Sequence, residues 1–213
     1  MSQPARKPSR DQRRDAILAV AGEVFQEGGY AEASMSCIAA RVGGSKGTLY
    51  NYFKSKDELF EAYIEERCSR FAEAAFGPLE DVDGPLGETL STLGERLMAH
   101  VCSEASARTL QLIMAEARRS PRLAQMFYDA GPGVGVEQLT RYLERAQRRG
   151  EFHAPDCSAA ARTFTTLCRG EHHFRRLLAL EPPPSPAVVK AEIKQVVDLF
   201  LAAYGAAKRA NSA

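Results

Sequence analysis

Tryptophan is absent from all 213 residues, and no apolar run approaches the roughly eighteen residues that would cross a bilayer. The opening stretch, MSQPARKPSR, holds no apolar signal core. No membrane partner is expected, and a cytoplasmic protein is. Bulk charge is missing too: 28 Lys/Arg stand against 27 Asp/Glu, a net of +1. The five cysteines (37, 68, 102, 157 and 168) form no CxxC pair, and their odd number fits reduced structural thiols rather than a disulfide framework. No segment alternates as a strand does, and no internal repeat is visible. No Ser/His/Asp triad or carboxylate pair can be placed, so neither an enzyme nor a cofactor is expected.

What is present is helix. Ile17, Val20, Ala21, Val24 and Phe25 recur at the spacing of one helix face, and Gly28-Gly29 ends that element. Ser34, Ser45 and Ser55 stand as N-caps before three further helices, the last with Asp57 and Glu58 in its first turn, where the helix dipole favours negative charge. That fourth helix runs to Gly77-Pro78. Others are predicted over about 86–101, 105–119, 121–130, 134–149, 157–180 and 187–208, with GPGVGV (131–136) as a glycine-rich break. The expected fold is all-α: a basic disordered tail (1–9), an N-terminal helix-turn-helix domain (10–55), a larger helical domain (56–208) and a short disordered tail (209–213).

Charge is unevenly spread. Residues 1–56 carry nine Lys/Arg and five Asp/Glu, a balance of +4, which leaves −3 for the rest. The basic quarter ends in GGSKGTLYNYFKSKDELF (43–60). Two short helices crossing through a tight turn need a small residue at the crossing, a glycine four residues on and an apolar residue six beyond that. Ala39, Gly43 and Leu49 meet those spacings, with Ile38, Val42 and Phe53 as further core positions. This is a helix-turn-helix pattern, whose second helix enters the DNA major groove. Its exposed face would carry Lys46, Thr48, Tyr50, Asn51 and Tyr52, flanked by Lys54 and Lys56. Lysines neutralise phosphates, hydroxyls bond phosphate oxygens, and Lys or Asn can read base edges. GGSKGT is not a P-loop, because its lysine precedes the glycine and a helix, not a strand, comes first.

SCIAARVGGSKGTLYNYFKSKDELF, preceded by ILAVAGEVFQEGGYAEASM, resembles the N-terminal domain of TetR-family transcriptional regulators over residues 11–60. The resemblance implies DNA-contacting positions at Ser34, Ser36, Thr48, Tyr50, Tyr52 and Lys56, with Ser45, Lys46, Gly47 and Asn51 completing the face. Tyr50→Phe and Lys56→Ala are then expected to weaken binding to most sequences, and Asn51→Ala to change which operators are preferred. One departure is Gly44, where the family usually has an apolar residue. The missing side chain is expected to loosen the turn by about 1 kcal/mol.

In the larger domain, RTLQLIMAEARRSPRLAQMFYDAG (108–131) and EFHAPDCSAAARTFTTLCRG (151–170) resemble a subgroup of the same family that includes repressors of efflux and related genes. That architecture implies a homodimer built by the last two helices and a ligand pocket among the middle ones. An apolar stripe of Val189, Ile193, Val196, Val197, Phe200 and Tyr204, with Phe164, Leu167 and Glu171 on the preceding helix, is the expected interface; packing within one chain is the alternative. Met98, His100, Cys102, Met114, Phe127, Tyr128, Phe164 and Cys168 are candidates to line an apolar cavity. Cys168 and His172, four apart beside His173, have a spacing that soft metals accept, but no further ligand is placed and no metal is expected. The resulting expectation is a repressor that holds double-stranded DNA at a near-palindromic operator and is released by an apolar small molecule. The alternatives are an activator or metal-responsive regulator of the same fold, or an enzyme with a structural N-terminal unit.

Overall fold

Serine hydroxyls start most of the helices. In the computed structural model, which describes residues 9–80 and 84–205, Ser9 opens α1 (Arg10–Glu32) through a capping box with Gln12. Ser34 opens α2 (Met35–Arg41), Ser45 opens α3 (Lys46–Tyr50) and Ser55 opens α4 (Lys56–Phe76). Each of these three hydroxyls accepts from the backbone N–H three residues on, at 3.2, 3.0 and 3.1 Å. Such a cap contributes about 1 kcal/mol by satisfying a donor with no partner inside the helix. Gly29, at φ 76°, ends the regular part of α1 where the glycine pair predicts.

After a 3-10 turn over Gly77–Glu80 come α5 (Leu86–Val101), α6 (Glu104–Glu116), α7 (Pro121–Tyr128), α8 (Val134–Arg148), α9 (Cys157–Leu177) and α10 (Pro186–Tyr204). The only bridge outside helices among the described residues pairs Phe152 with Gly205, so the fold is all-α. The expected tails at 1–9 and 209–213 lie outside the described residues except for Ser9, which is ordered as the cap of α1. Among those described, no helix is long and apolar enough to cross a membrane.

The expected break at GPGVGV is not a loop. Asp129–Gly133 form a π-helical turn that joins α7 directly to α8. A Cβ at Gly131 would stand 3.2 Å from the Cys68 sulfur, and one at Gly135 only 2.7 Å from the Phe76 ring. These glycines let the wide turn lie against α4. Tertiary packing, not chain reversal, is what they supply.

Two apolar cores share α4. The N-terminal core gathers Ile17, Leu18 and Phe25 of α1, Ile38 of α2, Leu49 of α3 and Leu59, Phe60 and Ile64 of α4. Ile113 of α6 and Leu123 of α7 are buried in that same core. Phe76, farther along α4, belongs to the second core with Leu90, Leu97, Leu139, Tyr142 and Phe164. The larger body is thus keyed into the small one at two points besides the connecting helix.

The apolar stripe on α10 corrects the expected interface. Val189, Ile193, Val197 and Phe200 are buried in the chain's own second core, as is Phe164 of α9. Val196 and Tyr204 pack against the same core. Helix α5 covers the stripe: Gly94 brings it so close that a Cβ there would lie 2.8 Å from Ile193. Only Leu167 and Glu171 of the expected set face outward. The large apolar residues left exposed on the last two helices are Leu167, Phe174, Val188 and Leu199, with Leu178 and Leu180 just after α9.

Candidate DNA-binding face and effector cavity

The turn between α2 and α3 closes by backbone chemistry that glycine permits. Gly43 sits at φ 70°; its N–H bonds the Ala40 carbonyl at 3.2 Å, and the Gly44 N–H reaches back to Ala39 at 3.0 Å. This is the paired ending by which a left-handed residue satisfies the last carbonyls of a helix. Gly44 has no positive φ, and its missing side chain is compensated. Arg13 of α1 places its Nη2 3.3 Å from the Val42 carbonyl, and a Cβ at Gly44 would stand 3.2 Å from that nitrogen. The guanidinium occupies the side-chain space and ties the turn to α1.

Neighbouring glycines should therefore respond with opposite signs. Gly43→Ala forces a left-handed alanine and is expected to lower stability by about 1–2 kcal/mol. Gly44→Ala needs only a small shift of a flexible arginine end, and is expected to raise it by about 0.4–1 kcal/mol by restricting the unfolded chain. Urea unfolding of the two variants checks this; equal losses at both sites would mean that Gly44 is as constrained as Gly43.

On the face that the turn presents, Ser36, Lys46, Gly47, Tyr50 and Asn51 are exposed, and the Lys46 ammonium lies 5.9 Å from the Tyr50 ring centroid. Several predicted contact residues have internal duties. The Ser34 and Ser45 oxygens cap α2 and α3, and the Ser45 and Thr48 hydroxyls bond each other at 2.9 Å. Tyr52 is half-buried against the N-terminal core. Lys56 is committed furthest: its Nζ donates to the carbonyls of Tyr30, Ala31 and Ala33 at 2.8, 3.3 and 3.0 Å. The same ammonium sits 4.3 Å above the Tyr30 ring, whose hydroxyl bonds Asp57.

A cavity of about 100 Å³ lies where the middle helices converge. Arg67, Cys68, Phe71 and Phe76 of α4 form one wall, and Leu97, His100 and Val101 of α5 another. Ser106, Thr109 and Leu110 of α6, Phe127 of α7, the π-turn and Thr165, Arg169 and His173 of α9 complete it. His100 lies flat on Phe71, centroids 3.5 Å apart, with its Nε2 3.2 Å from the Ser106 hydroxyl. Burial, aided by the charge of Arg67, pushes the His100 pKa down to about 4. Burial, aided by Arg169, lowers that of His173. Both imidazoles are neutral at physiological pH.

Of the eight residues expected to line a cavity, His100 and Phe127 do. Met98, Cys102, Phe164 and Cys168 are sealed in the second core, while Met114 and Tyr128 are 58% and 51% exposed on the surface. Their spacing marked them as inside or outside a helix stripe but not against which neighbour. Arg67, Arg169 and Thr165 carry no local signal of a pocket wall, because a polar residue on a helix has the same spacing whether it faces solvent or a cavity. Cys168 and His172 do not share a site either. Gly170, at φ 54°, kinks α9 between them; Cys168 is buried, and His172 is held between Glu181 and Glu192. No group of three or more His, Cys, Asp or Glu among the described residues stands where it could hold a metal.

Comparison with known proteins matches this anatomy at both ends. Residues 17–63 fit the family model of bacterial regulatory proteins of the tetR family, and residues 88–206 fit that of the C-terminal domain of AefR-like transcriptional repressors. The HTH-type transcriptional regulator UidR of Escherichia coli K12 is 32% identical over 152 residues, covering 69% of this chain and 72% of its own. The flavonoid-responsive regulator FrrA superposes with a TM-score of 0.74 at 28% identity, over 92% of this chain and 98% of its own. A chain described as a TetR-family regulator from Mesorhizobium loti reaches 0.85 at 25% identity, over 93% of this chain and all of its own. The exposed basic-aromatic helix after the glycine turn, the walled cavity beyond it and these likenesses place the chain in the TetR family of ligand-responsive, DNA-binding transcriptional regulators.

Proposed function

We propose that this regulator is a cytoplasmic homodimeric repressor. It holds a near-palindromic operator through α2 and α3 of both copies and lets go when a small molecule enters the α4–α9 cavity. The proposed units divide at the Ser55 cap, 10–55 reading DNA and 56–208 binding the effector and the second copy. Base and phosphate contacts fall to Ser36, Lys46, Gly47, Tyr50 and Asn51, supported by Ser34, Ser45, Thr48, Tyr52 and Lys56. Leu167, Glu171, Phe174, Leu178, Val188 and Leu199 form the dimer contact, and the effector leaves chemically unaltered.

The observation that carries this reading is the double anchoring of the DNA-binding unit. Helix α4 gives Leu59, Phe60 and Ile64 to the N-terminal core and Arg67 and Phe71 to the cavity wall, barely a turn farther on. Helix α7 likewise gives Leu123 to that core and Phe127 to the cavity, and Arg122 bridges it to Glu61 of α4 at 3.1 Å. An engineered cavity of roughly 150 Å³ accepts benzene, so an effector larger than benzene that enters this smaller one displaces its walls. Moving α4 and α7 moves the helices that seat α2 and α3. A coupling of about 1–3 kcal/mol, typical between sites, would change operator affinity severalfold to a hundredfold.

The test is selection from a random duplex library with the purified protein at about 150 mM salt, which suppresses non-specific phosphate binding. A palindrome with half-sites about 34–36 Å apart is expected, one helical turn for two recognition helices. Recovery of no motif, or of single half-sites only, would sink the dimeric operator reading.

A further inference from the structure

Among the described residues, two arginines and no acidic residue line the cavity. Arg67 enters it from α4 and Arg169 from α9. Acidic residues one position before Arg67 and two after Arg169 are already engaged elsewhere: Glu66 pairs with Arg70, and Glu171 with Arg175. Arg67 also borders the neighbouring groove with Asp15, Glu23 and Glu66 but forms no ion pair with them among the described residues; its Cζ lies 5.7 Å from the centroid of the Tyr63 ring. The wall's hydroxyls are committed as well. Thr109 donates to the Ala105 carbonyl at 2.7 Å, Thr165 to Arg162 at 3.1 Å, and Ser106 is bonded to His100. The lining residues whose side-chain donors have no hydrogen-bond partner among the described residues are Arg67, Arg169, the neutral His173 and the weakly donating Cys68 thiol.

Around them the surface is apolar and partly flat. Phe71 with the imidazole stacked on it makes a slab, and Phe76, Leu97 and Phe127 close over the space. An arginine at such a boundary loses water when the cavity fills, and an uncharged ligand would leave that loss uncompensated. An acidic group compensates it, and the planar guanidinium fork suits a carboxylate or sulfonate.

We propose that the effector is an amphipathic organic anion, its apolar body lying against Phe71, Leu97 and Phe127 and its acidic group held by Arg169 and Arg67. This rests on the cavity being the effector site, and adds to that reading a class of ligand. The neutral histidines contribute polarity without repelling or neutralising the anion, so the selectivity for negative charge belongs to the arginines.

Two fluorescent probes with one aromatic body test it: 8-anilinonaphthalene-1-sulfonate, an anion, and N-phenyl-1-naphthylamine, which is uncharged. Both exceed the free volume to a similar extent, so the work of opening the walls largely cancels in the ratio of their affinities. Titrations use the full chain, its Arg169→Gln and Arg67→Gln variants, and two cavity-filled variants, Leu110→Trp and Ser106→Phe, of which one that keeps its helical circular dichroism suffices. The sulfonate is expected to bind wild type about tenfold or more tighter than the amine, as a charge-assisted pair implies. Arg169→Gln should reduce that ratio by about tenfold and Arg67→Gln should reduce it too, with the amine's affinity unchanged; filling the cavity should abolish binding of both. A ratio that survives both glutamine substitutions, while the filled variant binds neither probe, overturns the anionic class and leaves the cavity as the site. Binding of neither probe by wild type, or undiminished binding of both by the filled variant, removes the cavity as the site and the proposal with it.

Discussion

Phe200→Ala should cost the chain about 3–5 kcal/mol of stability, whereas Leu199→Glu should leave the single chain folded and split the proposed dimer. The two residues are adjacent on α10 and face opposite ways. Phe200 is 1% exposed and meets the rings of Phe152, Phe164 and Tyr204 at centroid distances of 5.8, 5.1 and 5.0 Å. Its removal opens a cavity in a core that α5 and α9 complete from the same chain. Leu199 is 66% exposed, as are Val188 of α10 and Leu167 and Phe174 of α9 to lesser degrees. A glutamate there meets only water in the monomer, but in a dimer it would bury an unpaired charge, and truncation or charge effects at such contacts run to several kcal/mol. Light scattering reads the mass, and urea unfolding reads the stability. A Leu199→Glu protein that remains dimeric at micromolar concentration would show that the copies meet elsewhere. With one DNA-binding unit per particle, operator affinity should fall by at least about a hundredfold, since the second half-site no longer binds as part of the same molecule.

That pair of residues also shows what the sequence could and could not reveal. The α10 stripe was legible as apolar, because helical spacing needs only the chain itself. Its partner was not, because the covering helix α5 is about a hundred residues away and its fit depends on Gly94. The caps at Ser34, Ser45 and Ser55 and the glycine ending at Gly43 were legible for the opposite reason: donor, acceptor and backbone angle all lie within a few residues. The glycines of 131–135 misled because glycine has two uses, turning a chain and admitting a neighbour, and here the neighbours are Cys68 and Phe76. The cavity follows the same division. Its histidine and Phe127 stood out by residue type, while Arg67 and Arg169 acquire meaning only once α4 and α9 are seen to face one another across a space without acids.

The second large effect separates two lysines that the sequence treats alike. Lys56→Met should destabilise the N-terminal unit by about 1.5–3 kcal/mol, the range for hydrogen bonds to a charged donor, because three carbonyls lose their partner at once. Those carbonyls belong to the end of α1 and the link to α2, so the ammonium fastens the start of α4 to the helix that supports the reading head. Operator affinity should fall with it through displacement of α2 and α3, and the dependence of log affinity on log salt should keep its slope. Lys46→Ala, exposed at the start of α3, should do the reverse. Its stability should stay within about 0.5 kcal/mol of wild type, while the salt slope falls by about 0.9 per half-site as one phosphate contact is lost. Fluorescence anisotropy on the selected operator between about 50 and 200 mM salt, beside urea unfolding, gives both numbers for both variants. The family resemblance implies a DNA contact for Lys56 as well. If its removal lowers the slope and spares stability, the ammonium abandons the α1 carbonyls for DNA on binding. If only Lys46 moves the slope, Lys56 acts on DNA solely by holding α1 to α4, and the charge that meets the phosphates is the one the glycine turn pushes forward.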